Sequence, residues 1–467
     1  MSSIAVDPIP AGHLSEFARQ LRAGSITSVQ ATQAYLNRIK ALDPNLQAYQ
    51  RVDEDKALAT ARAMDDLLAA GTDLGPLMGV PIAIKDVFVM DGYPMPTAGS
   101  RADLSDVLGD RQGAFIDALR RCGVIILGVT KTVEFCLGIT GVSEPLGTPR
   151  NPWDADRHRV PGGSSSGSAA ATAAGMCAFA IGTDTGGSVR VPAAFNGLFG
   201  LKTTFGRWPT QGAAPLDPTI DTIGLLTKSA MDAKLAFDTL EARLFGHAYT
   251  PSTWQADVNG LRIGRPETHF YEDLSPEVDA AVSDANARLE QAGALFKSVE
   301  ITETSERTGY FPLAMPAHVV SMLGKEGFER ARPDMDPVIG KRVAEADHIL
   351  ASDLLAAMKK RQHSIETAKR YFDAVEVIGC PTTAIVAPPL DEFDDLDRAM
   401  DHALGMTRNT QPSNYLGQCA VSLPLPRPAG ALPIGYQLIG APDADARLLD
   451  IALAIEALFG VSKPAID

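Results

Sequence analysis

The chain has 467 residues, 45% hydrophobic and 21% charged, a globular balance with ample material for a buried core and no signature of disorder. Its 42 Lys and Arg against 57 Asp and Glu give a formal net charge of -15, which argues against a nucleic-acid partner, because a phosphate backbone is held by clustered cations. No apolar run reaches membrane-spanning length, and the opening MSSIAVDPIPAGHLSEF lacks the basic and apolar regions of a signal peptide.

In chain order, Val29, Leu36, Ile39 and Leu42 recur at helical spacing after Ser28, read as the N-cap, and Asp43-Pro44 is read as the stop. A second helix is predicted over 56–70, broken by Gly71 and Gly75, and then a short strand, Val80-Pro-Ile-Ala-Ile-Lys85, that ends in a charge. A helix over 115–121, an apolar strand over 124–127, an alanine-rich helix after Ser168 and a strand over 179–181 follow. Continuous rather than alternating apolar strands imply a sheet covered on both faces, the α/β class. The more charged span 240–375 is read as a helical excursion over that sheet. The tail returns to strands over 375–380 and 432–440, then a helix over 445–458 that turns Leu448, Leu449, Ala452 and Ile455 inward. With no internal repeat and no low-complexity linker, a single domain over 1–467 is the simplest division.

The five cysteines (Cys122, Cys136, Cys177, Cys380, Cys419) are scattered through apolar stretches and read as buried thiols, so a reducing, cytoplasmic location is expected. Eight histidines occur singly, without metal-ligand spacing, and no metal is expected. Chemistry concentrates in residues 161–206, where two Gly/Ser clusters are separated by the alanine-rich helix and a strand. The second cluster, Thr183-Asp-Thr-Gly-Gly-Ser188, follows a strand and precedes Pro192, which suits a helix's first turn. Such a turn aims backbone N–H groups at one point and lets an anion approach closely. Taken alone, it leaves open a plain turn, a phosphate loop and an acyl-transfer site. Serine needs a base, and His158 and His402 lie in polar contexts expected to be exposed. Lys85 ends an apolar strand, where desolvation would lower its pKa; a lysine that merely marks the strand exit is the competing reading.

These segments resemble the amidase signature family. The matching stretches are Gly162-Gly-Ser164-Ser-Ser-Gly-Ser168, Gly182-Thr-Asp-Thr-Gly-Gly-Ser188-Val-Arg190-Val-Pro192-Ala and Gly200-Leu-Lys-Thr-Thr-Phe-Gly206, preceded by Gly79-Val-Pro-Ile-Ala-Ile-Lys85-Asp86. The resemblance implies an α/β/α fold on a large mixed twisted sheet, with its core over 75–235. It implies an amide hydrolase with Ser188 as nucleophile, Ser164 as bridging serine after a cis peptide at Gly163-Ser164, and Lys85 as base, with no cofactor. Ser165 is the adjacent alternative for the bridge. The oxyanion is then expected on the backbone N–H groups of Thr185, Gly186, Gly187 and Ser188, with Asp184 and Arg190 bracing the turn. The segment Thr407-Arg-Asn-Thr-Gln-Pro-Ser-Asn-Tyr-Leu-Gly417 resembles the family's pocket-side loop, which makes Arg408 a candidate for a substrate carboxylate and Gly163 a candidate pocket residue. Departures from the family pattern at Ser166-Gly167 and Lys131-Thr-Val133 fall on the pocket rather than on these three residues.

The expected partner is a small-molecule amide, with no nucleic acid and no membrane, and a homodimer is left open. Two other readings stand beside the amidase: a glutamine-hydrolysing A-type subunit of a tRNA-dependent amidotransferase, and a non-catalytic phosphate- or nucleotide-binding module. The second lacks the Gly-Lys-Ser/Thr ending of a P-loop.

Overall fold

A computed structural model describes residues 6–250 and 257–460. Eleven strands form one mixed sheet in the order β1-β3-β2-β4-β6-β5-β10-β11-β9-β7-β8. They are β1 (Tyr49–Val52), β2 (Pro81–Lys85), β3 (Ile125–Thr130), β4 (Ala180–Asp184), β5 (Phe199–Lys202), β6 (Thr222–Thr227), β7 (Arg262–Pro266), β8 (Leu295–Val299), β9 (Val377–Pro381), β10 (Cys419–Pro424) and β11 (Gly435–Gly440). β2 runs parallel to β3 and β4, and β7 parallel to β8 and β9, while the strands between pair antiparallel.

Every residue of β2, β3, β4, β5, β6, β9, β10 and β11 is buried, whichever way its side chain points. Successive strand side chains face opposite sides, so both faces of the sheet are covered, as the continuous apolar runs require. The sheet opens toward the β8 end, where β7 and the edge strand β8 carry exposed residues. The helix Ser166–Ala173, all eight residues buried, packs against β2, β3, β4 and β6. Its Ala, Gly and Ser side chains let the backbone lie close to the strands.

Several boundaries differ from the expectations. The first long helix is capped by Thr27, not Ser28: Thr27 accepts the Gln30 N–H while the Gln30 side chain accepts from Thr27, a capping box that places Ser28 inside. That helix also runs through Pro44 to Leu46. There the Asp43 carboxylate accepts the Ala48 and Tyr49 N–H groups and fastens the exit after the proline rather than before it. The span 240–375 contributes β7 and β8 to the sheet besides its helices. Their sequences, Arg-Ile-Gly-Arg-Pro and Leu-Phe-Lys-Ser-Val, carry charged residues that reach solvent near the end of the sheet and therefore lack an uninterrupted apolar run.

Candidate active site

Parallel pairing sets Ala83 beside Ala180 and Ile84 beside Ile181, so Lys85 emerges next to the end of β4. Its side chain is fully buried, and Nζ donates to Ser164 Oγ and to Thr183 Oγ1, both at 2.8 Å. Burial holds the amine below the usual lysine range, against opposing pulls from the Cys136 thiol and the Asp221 and Asp184 carboxylates. Lowering the pKa favours the neutral amine, and a neutral amine at that distance can take a proton from a hydroxyl. The Gly163–Ser164 peptide is cis. Ser165 turns its hydroxyl to the Thr183 carbonyl instead of to Lys85, while its N–H donates to the Ser188 carbonyl at 3.2 Å and ties the two Gly/Ser clusters together. Among the described residues the Ser188 hydroxyl makes no hydrogen bond; the side chain is 5% exposed and lines a cleft.

The turn from β4 into the helix Arg190–Phe195 is organised by Asp184. Its carboxylate accepts the N–H groups of Gly187 at 2.8 Å, Val189 at 3.0 Å and Arg190 at 3.4 Å, together with the Arg190 guanidinium and the Asn414 amide. Burial pushes the carboxyl up, but Arg190, Lys202 and Asn414 together pull it well below the usual carboxylate range. Arg190 is buried and extends the same network to the Thr410 carbonyl, Ser413 and Gln437. Of the four N–H groups expected to hold an oxyanion, that of Gly187 is already engaged by Asp184, whereas those of Thr185, Gly186 and Ser188 have no partner among the described residues. Gly187 has φ +123°, and a Cβ there would lie 2.2 Å from Thr410 Oγ1, so only glycine lets this loop cover the turn.

The cleft in front of Ser188 offers about 80 Å³ to a water-sized molecule and is mostly apolar. Its walls come from remote parts of the chain: Cys136 to Ile139, Met315, Val338, Arg342, Ala403 and Gln411 among them. Gln411 falls in the Thr407–Gly417 loop expected at the pocket; the others were not assigned to it from sequence, because each sits on a segment whose local pattern is only that of an ordinary helix or loop. Arg342 is the notable addition. It donates to the Leu137 carbonyl at 2.7 Å, no carboxylate pairs with it among the described residues, and burial pushes it down to about 10. Behind Gln411, Arg307 donates to Gln411 Oε1 at 2.6 Å and is likewise pushed down to about 10 by burial and by the neighbouring Arg408.

Two residues expected at the pocket lie off the cleft lining. Arg408 does not line the cleft; its guanidinium donates to the Glu272 carbonyl and pairs with Asp273 at 3.3 Å. Gly163 does not line it either, because a Cβ on that residue would meet Gly141 N at 2.8 Å and Val133 Cγ2 at 2.9 Å, which makes it a close-packing position.

The family model described as Amidase matches residues 30–449. The 2-amino-5-chloromuconic acid deaminase of Comamonas testosteroni is 38% identical over 96% of this chain and 97% of its own. The A-type subunit of the glutamyl-tRNA(Gln) amidotransferase of Moorella thermoacetica is 34% identical over 94% of this chain and 95% of its own. A solved amidase structure superposes with a TM-score of 0.85 at 29% identity, covering 96% of this chain and all of that one. With buried Lys85 on Ser164 beside a Gly-Gly-Ser turn, these matches establish that the chain belongs to the amidase family. It is a hydrolase of amide C–N bonds, which sets aside the phosphate-binding module. No helix among the described residues is long and apolar enough to cross a membrane.

Proposed function

We propose that Ser188 attacks the carbonyl carbon of a small amide while Ser164 passes its proton to a neutral Lys85. One observation carries this reading: a fully buried amine 2.8 Å from Ser164 Oγ, with hydroxyls rather than carboxylates as its hydrogen-bond acceptors. Rotation of the Ser188 hydroxyl toward Ser164 completes the relay; catalytic hydrogen bonds commonly tighten only when substrate binds. The oxyanion settles on the free N–H groups of Thr185, Gly186 and Ser188, each such donor being worth about 2.7–4 kcal/mol of barrier. Proton return through Ser164 expels the nitrogen, and water, activated by the same relay, cleaves the acyl-enzyme.

The substrate in this reading carries a carboxylate on its acyl part. Arg342 supports it, as a half-buried cation on the cleft wall without an acidic partner among the described residues. The deaminase relative is likewise named for an acid. The amidotransferase component is the second reading, supported by relatives at 32–34% identity against 38% for the deaminase. The main reading also places the protein in the cytoplasm, supported by five free, buried thiols, and needs neither nucleic acid nor cofactor; a homodimer is compatible with it.

A panel of primary amides with and without a terminal carboxylate, scored for ammonia with Ser188→Ala as control, tests this reading. Turnover of a carboxylate-bearing amide by the chain alone is expected. Ammonia release from glutamine alone, dependent on an added partner protein, would favour the amidotransferase.

A further inference from the structure

We propose that a second cavity, beside the Lys85–Thr183 pair, receives the departing nitrogen of the amide as ammonia or a small primary amine, while the Arg342 cleft retains the acyl part. This deepens, and rests on, the reading of Ser188 as the acylated residue.

The second cavity is small, with about 30 Å³ of room for a water-sized molecule, and is lined by Cys136, Thr183, Thr185, Thr210, Leu216 and Asp221, among others. Cys136 and Leu216 line the cleft as well, so they are walls common to both spaces. The cavity reaches Thr183, whose hydroxyl accepts the second Lys85 hydrogen bond, and therefore opens at the amine end of the relay rather than at the Ser188 end. The proton that Ser164 gives to a leaving nitrogen is replaced from that end.

The two spaces have opposite polarity. The cleft presents a guanidinium, whereas the second cavity presents three threonine residues and the buried Asp221 carboxyl. Asp221 is fixed by the Thr185 hydroxyl at 2.5 Å and by the N–H groups of Leu216 at 2.9 Å and Asp217 at 3.1 Å. Burial, with Asp217 nearby and the Thr185 bond opposing, pushes its carboxyl up to about 7. A nitrogen with hydrogens to donate is matched to the acceptor-rich space, and a carboxylate tail to the cationic one. The C–N bond breaks as the tetrahedral oxyanion re-forms the carbonyl, and the nitrogen takes a proton from the Ser164 hydroxyl. Ser164 is reprotonated by the Lys85 ammonium, and the amine departs neutral, leaving the Ser188 ester.

Because aminolysis is the reverse of this step, an added amine must enter by the same space. Acyl-enzyme is generated from p-nitrophenyl acetate in the presence of methylamine, and the nitrophenolate burst counts acetylated chains. The second-order constant for N-methylacetamide formation is then expressed per acetylated Ser188. Ala214→Leu, which fills the cavity, is expected to lower that constant at least tenfold. Thr210→Val, which keeps the shape and removes a hydroxyl, is expected to lower it about threefold. A constant unchanged from wild type in both variants, with circular dichroism showing intact folds, overturns the proposal. A wild type that gives neither a burst nor fluorophosphonate labelling of Ser188 overturns the underlying reading, and this inference with it.

Discussion

Arg190 and Asp184 meet at 2.9 Å with both side chains wholly out of solvent, and each also serves the turn that presents Ser188. Asp184 holds the backbone of the turn from inside, and Arg190 holds Asp184 from outside by way of Thr410, Ser413, Asn414 and Gln437.

Removing one partner strands the other. Arg190→Met leaves a buried carboxylate facing the turn without its counter-charge, at a cost of about 3–5 kcal/mol. Urea unfolding at neutral pH is expected to show this loss. The pH dependence has a defined sign. A carboxyl depressed in the folded state contributes stability above its unfolded value, near 3.8, and that contribution fades as pH falls toward the folded value. Wild type is therefore expected to lose the contribution only in acid, while the variant lacks it already at neutral pH. Equal stability of the two proteins at neutral pH would contradict this account.

Ser188→Ala is expected to reduce kcat by roughly 10³-fold or more with an unchanged circular dichroism spectrum, since the residue is a small surface of the cleft and carries no hydrogen bond from its hydroxyl among the described residues. Residual turnover near the wild-type rate would remove it as nucleophile.

Lys85 must be neutral to act, so kcat/KM should rise with pH through its apparent pKa and fall below it. Burial places that acid limb under the ordinary lysine value of about 10.4. The Cys136 thiol raises the Lys85 pKa, so Cys136→Ala should move the limb to lower pH. A pH–rate profile of the two proteins checks both statements, and a limb unmoved by the substitution would separate the thiol from the base. Lys85→Ala should be nearly inactive across the range.

Arg342→Ala should raise KM for amides bearing a carboxylate by roughly 30-fold, the equivalent of about 2 kcal/mol for a charge-assisted hydrogen bond, and affect uncharged amides far less. Arg408→Ala should leave both nearly unchanged, because its guanidinium is engaged with Asp273 and Glu272 away from the cleft. Steady-state kinetics on paired substrates separates the two arginines, and a larger effect at Arg408 would reverse their assignment.

The neighbourhood of Lys85, Ser164 and Ser188 is readable in sequence because the strand ending in a lysine and the two Gly/Ser clusters are each local patterns with a local physical cause. What escapes depends on groups far apart in the chain. That Gly187 gives its N–H to Asp184 requires knowing how the carboxylate turns back, and Arg342 looks like any exposed cation of a charged helical span until the cleft around it is seen. Arg408 misleads for the same reason: its partners, Glu272 and Asp273, lie 136 and 135 residues away. The strands β7 and β8 are hidden by their charged residues, and Ser28 takes the capping role of Thr27 in sequence because both are good caps and only the reciprocal bond with Gln30 distinguishes them.

The bond from Arg190 to Gln437 spans 247 positions, and the Thr410 lid on Gly186 spans 224. During synthesis, a ribosome that has delivered Ser188 must still add every residue up to Gln437 before the clamp on that turn can close. A nascent chain that stops short of β11 thus carries Ser188 on a turn whose outer clamp is unset.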